Sequence, residues 1–155
     1  MVIDLNKENW RIVNDTVMGG RSDAKIINST SQSLLFSGTV SLENNGGFSM
    51  IQSVLKTPSS PKATTCSITV KGDGKNYQFR LKPSRFDKES YVMNFKTSGK
   101  EETFTFNIAD FKPYFRGRSL DLPAIKNQSI EEIAFLIGNK KAESFELEVI
   151  EVMFE

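Results

Sequence analysis

The sequence predicts an all-β domain built either as a closed barrel or as two packed antiparallel sheets. Three observations carry this reading. Apolar residues recur at every second position in segment after segment, which places them on one face of a strand. Clusters of glycine, asparagine, aspartate, serine and proline interrupt those segments about every 8 to 12 residues, giving about nine or ten strands. Ser129-Ile130-Glu131-Glu132 has the composition of a helical turn, but nothing supports a helix of ordinary length.

In chain order, Trp10-Arg11-Ile12-Val13 reads as a short strand entering a glycine-containing loop, Asn14 to Ser22. Lys25-Ile26-Ile27, Leu34-Leu35-Phe36 and the alternating Ser37 to Leu42 supply the next strands. After a second loop, Glu43-Asn44-Asn45-Gly46-Gly47, residues Phe48, Met50, Gln52 and Val54 share one strand face. Thr57 to Pro61, with two prolines and two serines, is a surface connection. Cys66, Ile68 and Val70 alternate before Lys71-Gly72-Asp73-Gly74-Lys75-Asn76, and Tyr77, Phe79 and Leu81 alternate after it. That pattern predicts a β-hairpin turning at Asp73-Gly74, with Gln78, Arg80 and Lys82 pointing outward.

Tyr91, Met93 and Phe95 form a further strand, and Phe104, Phe106 and Ile108 another. From Ala109 to Leu122 the periodicity stops: Phe111, Tyr114, Phe115, Leu120 and Leu122 lie among Pro113, Arg116, Gly117 and Arg118, as expected of a packed crossing segment. Ile133, Phe135 and Ile137 resume the alternation, and Phe145, Leu147 and Val149 continue it. The shift of phase to Ile150, Val152 and Phe154 predicts a bulge in the last strand.

With 155 residues, of which 38% are hydrophobic and twelve are phenylalanine, the chain has the material for one core and is expected to be a single domain over residues 1–155. The net charge of +1 conceals an asymmetry: eighteen basic residues stand against twelve acidic through Ile130, and two against seven thereafter. Cys66, the sole cysteine, lies in an apolar alternation and reads as core, so no intrachain disulfide forms and a reducing compartment is permitted. Met1 to Trp10 has no basic-then-apolar signal and no apolar run approaches a membrane span, so a cytoplasmic location without membrane insertion is expected.

The chemistry is bounded chiefly by the absence of histidine, the commonest general base at neutral pH and the commonest transition-metal ligand. With one cysteine, neither a structural zinc site nor a Cys-His nucleophile assembles in one chain. Gly72-Asp73-Gly74-Lys75 lacks the length and the Ser or Thr of a phosphate-binding loop, and the other glycine pairs fail the dinucleotide spacing. Asp15, Glu43, Asn44, Asn45 and Asp73 offer hard oxygens, yet they follow no calcium-loop pattern and asparagine-rich turns need no metal, so no cofactor is expected and a structural calcium is left open without support. Basic residues are not clustered densely enough for a nucleic-acid footprint.

The built loops are the remaining candidates. Gly19-Gly20 permits positive φ, Asn14, Asp15 and Ser22 bond to backbone in turns, and Arg21 projects a five-donor fork from them. Arg116 and Arg118 flank Gly117 beside Tyr114 and Phe115. They suit either a carboxylate or phosphate ligand or the pinning of loops through carbonyls.

Trp10 with Asn14-Asp15-Thr16-Val17-Met18-Gly19-Gly20-Arg21-Ser22 opens a longer ordered set. Phe36-Ser37-Gly38, Glu43-Asn44-Asn45-Gly46-Gly47-Phe48, Lys71-Gly72-Asp73-Gly74-Lys75-Asn76-Tyr77 and Phe115-Arg116-Gly117-Arg118 follow, and Ile133 to Ile137 and Phe145 to Val149 close it. In order and spacing, over nearly the whole chain, this set resembles the complex I intermediate-associated protein 30 family. The resemblance implies a galactose-binding-like jelly-roll β-sandwich, a fold shared with carbohydrate-binding modules, and a family role in assembling respiratory complex I in mitochondria. Some relatives carry the domain beside a short-chain dehydrogenase-like domain. This chain, with no transit segment and no room for a second domain, resembles a stand-alone bacterial-type member. The function so implied is a non-enzymatic binding module with a protein partner in an assembly or scaffolding role, and a carbohydrate-binding module is the alternative. On this reading Asn14, Asp15, Met18, Gly19, Gly20, Arg21, Ser22, Asn44, Asn45, Gly46, Gly47, Asp73, Arg116, Gly117 and Arg118 either bind a ligand or determine the fold.

Overall fold

Period-two alternation becomes a sandwich once each apolar face finds another to cover it. The computed structural model describes residues 1–14, 22–28, 32–43 and 46–155, and these contain twelve strands in two antiparallel sheets and no α-helix. The seven-stranded sheet is ordered β1 (Arg11–Asn14), β4 (Ser49–Val54), β11 (Glu132–Ile137), β6 (Asn76–Lys82), β7 (Ser90–Lys96), β9 (Lys112–Phe115) and β10 (Arg118–Ser119). The five-stranded sheet is ordered β2 (Asp23–Asn28), β3 (Leu34–Val40), β12 (Glu143–Phe154), β5 (Thr65–Lys71) and β8 (Glu101–Asn107). This is the predicted jelly-roll class.

Between the sheets, Ile51, Phe79, Leu81, Ile133 and Phe135 face Phe36, Ile68, Val70, Leu147 and Val152, all wholly buried. Aromatic rings tie the layers together: Phe95 of β7 meets Phe104 of β8 at 5.3 Å between centroids, and Phe106 of β8 meets Phe111 edge-on at 5.8 Å. Such pairs contribute about 1 kcal/mol each beyond their burial. Cys66 lies in this core, and burial pushes its thiol up to about 12. The register of β12 on β5 shifts between Val149 and Glu151, as the phase change in sequence predicts; the extra residue lets Val149 and Val152 both face inward.

Three expectations are corrected. Asp73-Gly74 does not close a hairpin, because β5 pairs with β12 and β8 while β6 pairs with β11 and β7, in the other sheet. Its turn chemistry is real, but it serves a crossing between sheets. The Asp73 carboxylate accepts from the Lys75 amide at 3.2 Å and, across the sandwich, from the Glu146 amide at 2.8 Å. A Cβ on Gly72 would collide with the Thr97 side chain. Conversely, the segment expected to cross without regular structure contains the β9–β10 hairpin, turning at Arg116 (φ +50°) and Gly117 (φ +77°). Two positive-φ residues in a two-residue loop make the turn that matches strand twist. Finally, Ser129 to Glu132 is no helical turn. Backbone bonds from Leu55 to the Glu131 carbonyl (2.8 Å) and from Glu131 to the Lys82 carbonyl (2.9 Å) draw it out towards β11.

On β4 the alternation marks a face, and that face is the outer one. Met50, Gln52 and Val54 point away from the core, while Ser49, Ile51 and Ser53 are buried. The outer surface of the seven-stranded sheet is therefore more apolar than a simple solvated face.

Candidate functional site

Strand register assembles that outer face row by row. Arg11, Gln52, Ala134, Arg80, Val92 and Lys112 pair in succession across six strands. Val13, Met50, Leu136, Gln78 and Asn94 form the next row, and Val54, Glu132 and Lys82 the row on the other side. Ala134 (5% exposed) and Leu136 (7%) are almost as buried as core residues although they point outward, so the middle of the face is recessed. At the Lys82 end lies a cleft of about 320 Å³ lined by Arg11, Gln52, Glu132, Arg85 and Phe86. At the opposite end a depression of about 400 Å³ is lined by Asn76, Gln78, Asn94, Leu136 and Asn139.

The polar groups of the face are held by one another. Arg80 Nε donates to Gln78 Oε1 at 3.0 Å, and its partial burial lowers the guanidinium from its ordinary value, although an arginine remains charged. Arg11 Nε donates to the Gln52 side-chain oxygen at 2.7 Å, with that amide turned so that its oxygen accepts. Lys82 Nζ donates to the Asp87 carbonyl at 2.8 Å and sits 3.9 Å from Glu132 Oε2. Burial raises the Glu132 carboxyl above its ordinary range, and Lys82, Arg11 and Arg85 oppose that shift. Above the cleft, the loop between β6 and β7 presents Phe86, 82% exposed, with the Arg85 guanidinium 4.7 Å from its ring. These contacts hold the charged groups in place before any ligand arrives.

The residues singled out from sequence divide into three sets. Asp15, Met18, Gly19, Gly20, Arg21, Asn44 and Asn45 lie outside the described residues. A second set gathers at the end of the sandwich where β11 finishes. Asn14 pairs with Ser49, opposite Ile137; Ser22 is buried, and its Oγ accepts from the Ser41 amide at 2.9 Å; Gly46 donates to the Glu43 carbonyl at 2.9 Å; and the Gly47 carbonyl lies 3.3 Å from where a Cβ on Gly138 would sit. The Ser22–Ser41 bond ties the chain entering β2 to the chain leaving β3. Asp73 belongs with these: besides the two amides it accepts from the Tyr77 hydroxyl at 3.0 Å, and Tyr77 is 1% exposed.

Arg116, Gly117 and Arg118 form the third set, at the far end, beyond the Ser90–Tyr114 pair. Arg116 lies 5.2 Å and Lys88 5.6 Å from the Phe115 ring centroid. Sequence reasoning overlooked Arg11, Gln52, Glu132, Arg85 and Phe86 as site residues. Their only signals were the outward set Gln78, Arg80 and Lys82 and the uneven charge along the chain. Among the described residues, no group of three or more histidine, cysteine, aspartate or glutamate side chains is placed to hold a metal, and no helix is long and apolar enough to cross a membrane.

Over residues 4–149 the sequence matches the family described as complex I intermediate-associated protein 30. The chain belongs to that family. No individually curated protein matches the sequence. Among solved structures, this member of the complex I intermediate-associated protein 30 family is similar to the family 11 carbohydrate-binding module of the cellulosomal cellulase Lic26A-Cel5E of Clostridium thermocellum. The TM-score is 0.69 at 16% identity, covering 97% of this chain and 93% of that one. A family 11 module from the same organism in complex with a β-1,3-1,4-mixed-linked tetrasaccharide gives 0.63 at 14% identity, covering 96% and 94%. A low-affinity xylan-binding module from Roseburia intestinalis gives 0.55 at 11% identity, covering 95% of each chain. At these identities the likeness establishes the sandwich fold alone.

Proposed function

We propose that this domain is a non-catalytic binding module that holds a protein partner on the outer face of its seven-stranded sheet, in an assembly or scaffolding role. The observation that carries the reading is the composition of the face. Met50, Leu136, Val13 and Val92 alternate with Arg11, Arg80, Gln52 and Gln78. Methionine and arginine are the residues that protein interfaces favour. Among the described residues, Tyr114 is the one aromatic strand side chain that register turns outward on this sheet; Tyr77, Phe79, Tyr91, Phe95 and Phe135 are spent on the core, and Phe115 is half-buried with Lys88 and Arg116 over its ring. A neutral sugar ring, which gains most from flat aromatic platforms, finds on the strands only Tyr114, and beside the cleft only Phe86, whose ring the Arg85 guanidinium already approaches at 4.7 Å.

Carbohydrate binding is the second reading. It is favoured by the amide-lined depression of Asn76, Gln78, Asn94 and Asn139 and by the likeness to sugar-binding modules. A photo-crosslinking amino acid placed at Gln78, with a second chain carrying it at Thr105 on the opposite sheet, separates the two readings in extracts of the native host. The proposal expects a protein adduct from Gln78 and none from Thr105. Adducts from both positions alike, or no protein adduct from Gln78, overturn it, and a positive glycan array then favours the sugar reading.

A further inference from the structure

The two outer faces carry opposite charge. On the described strands of the seven-stranded sheet, Arg11, Arg80, Lys82, Lys96 and Lys112 point outward against the single carboxylate of Glu132. On the five-stranded sheet, Asp23, Glu101, Glu146, Glu148 and Glu151 point outward against Lys25 and Lys71. The charge imbalance along the sequence is thus folded into a positive face and a negative one. Glu132, which faces Lys82, Arg11 and Arg85, offsets part of this charge and leaves an excess of cations. Among the described residues no carboxylate lies within ion-pair distance of Arg11, Arg80 or Arg85. Glu131 accepts from the Arg85 amide at 3.0 Å, Asp87 from the Ser84 amide at 3.3 Å, and Glu8 from the Lys56 amide at 3.1 Å.

We propose that the occupant of this face is an acidic, extended peptide segment of the partner, its carboxylates on Arg11, Arg80 and Arg85 and its apolar side chains in the Met50–Leu136 row. The inference rests on the protein-binding reading above and specifies its chemistry. Arg11 and Arg80 stand three strands apart in one row, about 14 Å at the usual strand spacing. An extended peptide laid across the strands repeats its side chains on one face every second residue, so residues four apart span about 13 Å. Carboxylates at such a spacing reach both guanidinium groups, each a planar fork suited to a carboxylate. The residues between them fall over Ala134 and Leu136, the recessed apolar floor. Phe86 and Arg85 stand at the mouth, an exposed ring and a cation against which the segment's end can pack.

The test is fluorescence anisotropy with a labelled dodecapeptide carrying glutamate at every fourth position, leucine midway between successive glutamates on the same face and serine elsewhere, against its lysine counterpart and an oligogalacturonate. The glutamate peptide is expected to bind, more weakly as salt rises, and the lysine peptide is not. Arg11→Gln with Arg85→Gln is expected to weaken binding about tenfold with an unchanged melting temperature. Should the double variant unfold, Arg85→Gln alone, whose guanidinium lies over exposed Phe86, carries the comparison. No binding, equal binding of both peptides, undiminished binding by the variant, or binding of the oligogalacturonate in place of the peptide overturns the inference. So does sedimentation showing that the negative face of a second copy fills the site. A Gln78 adduct with a partner lacking any acidic stretch sinks this inference and leaves protein binding standing; no protein adduct at all sinks both.

Discussion

Replacing Asp73 with alanine separates a fold determinant from a binding residue. Its carboxylate accepts from the Lys75 amide, the Glu146 amide and the Tyr77 hydroxyl, and its side chain is only 20% exposed. The truncation therefore leaves a nearly buried phenol and an amide of the other sheet without their acceptor. At about 1 kcal/mol for each donor that water partly rescues, and more for the phenol, the loss comes to about 3 kcal/mol. For a domain of this size that lowers the melting temperature by roughly 6 to 12 °C. Asp73→Asn, which keeps one acceptor oxygen, should lose roughly half as much. Urea unfolding followed by tryptophan fluorescence of Trp10 is the assay, and an unchanged slope shows that the native state alone is affected. A loss below about 0.5 kcal/mol would refute the reasoning and return Asp73 to the candidate binding residues.

Four further outcomes follow from the same contacts. Cys66, its thiol pushed up to about 12 by burial, should resist a thiol reagent in the native protein at mildly alkaline pH and react fully in urea; rapid native labelling would contradict its place in the core. Gly38→Ala drives a Cβ into the Asp23 carbonyl and the Ala24 Cα of the neighbouring strand, and should cost about 2 kcal/mol or more in a melting experiment. Gly117→Ala, at φ +77° with open space around it, should cost only about 1 kcal/mol, which chemical denaturation measures. Because burial raises the Glu132 carboxyl, the folded chain holds its proton above the ordinary value of 4.5, so this group subtracts stability as pH rises through that window. Glu132→Gln should flatten the decline in stability with pH, and an identical slope in the variant would show that other groups produce it.

The sandwich was legible because most of its strands announce themselves locally: period-two apolar positions lead to Phe79, Leu81, Ile133 and Leu147 without knowledge of any partner. The bulge after Val149 was legible for the same reason. Partner choice was not. Asp73-Gly74 has the local chemistry of a hairpin, and what redirects the chain is the contact with Glu146 and the packing of Gly72 on Thr97, both distant in sequence. The β9–β10 hairpin was hidden because Pro113 and the positive φ of Arg116 replace the usual turn and strand signals. The site failed on two counts. The paired positions Met50, Gln52 and Val54 do not reveal which side faces water, and charges far apart in the chain, such as Arg11, Arg80 and Glu132, become one row or one cleft only through register. The loop motifs drew notice through their unusual backbone needs, and at Ser22, Gly46 and Asp73 the hydrogen bonds described run within the chain.

Hydrogen–deuterium exchange on the complex with the partner captured from Gln78 tests the central claim most directly, because it reads both sheets at once. Slowed exchange confined to β4, β11, β6 and the Arg85–Phe86 loop, with β5 and β8 unchanged, is the predicted result. Protection of β5 and β8 with none on β4, β11 and β6 would contradict it.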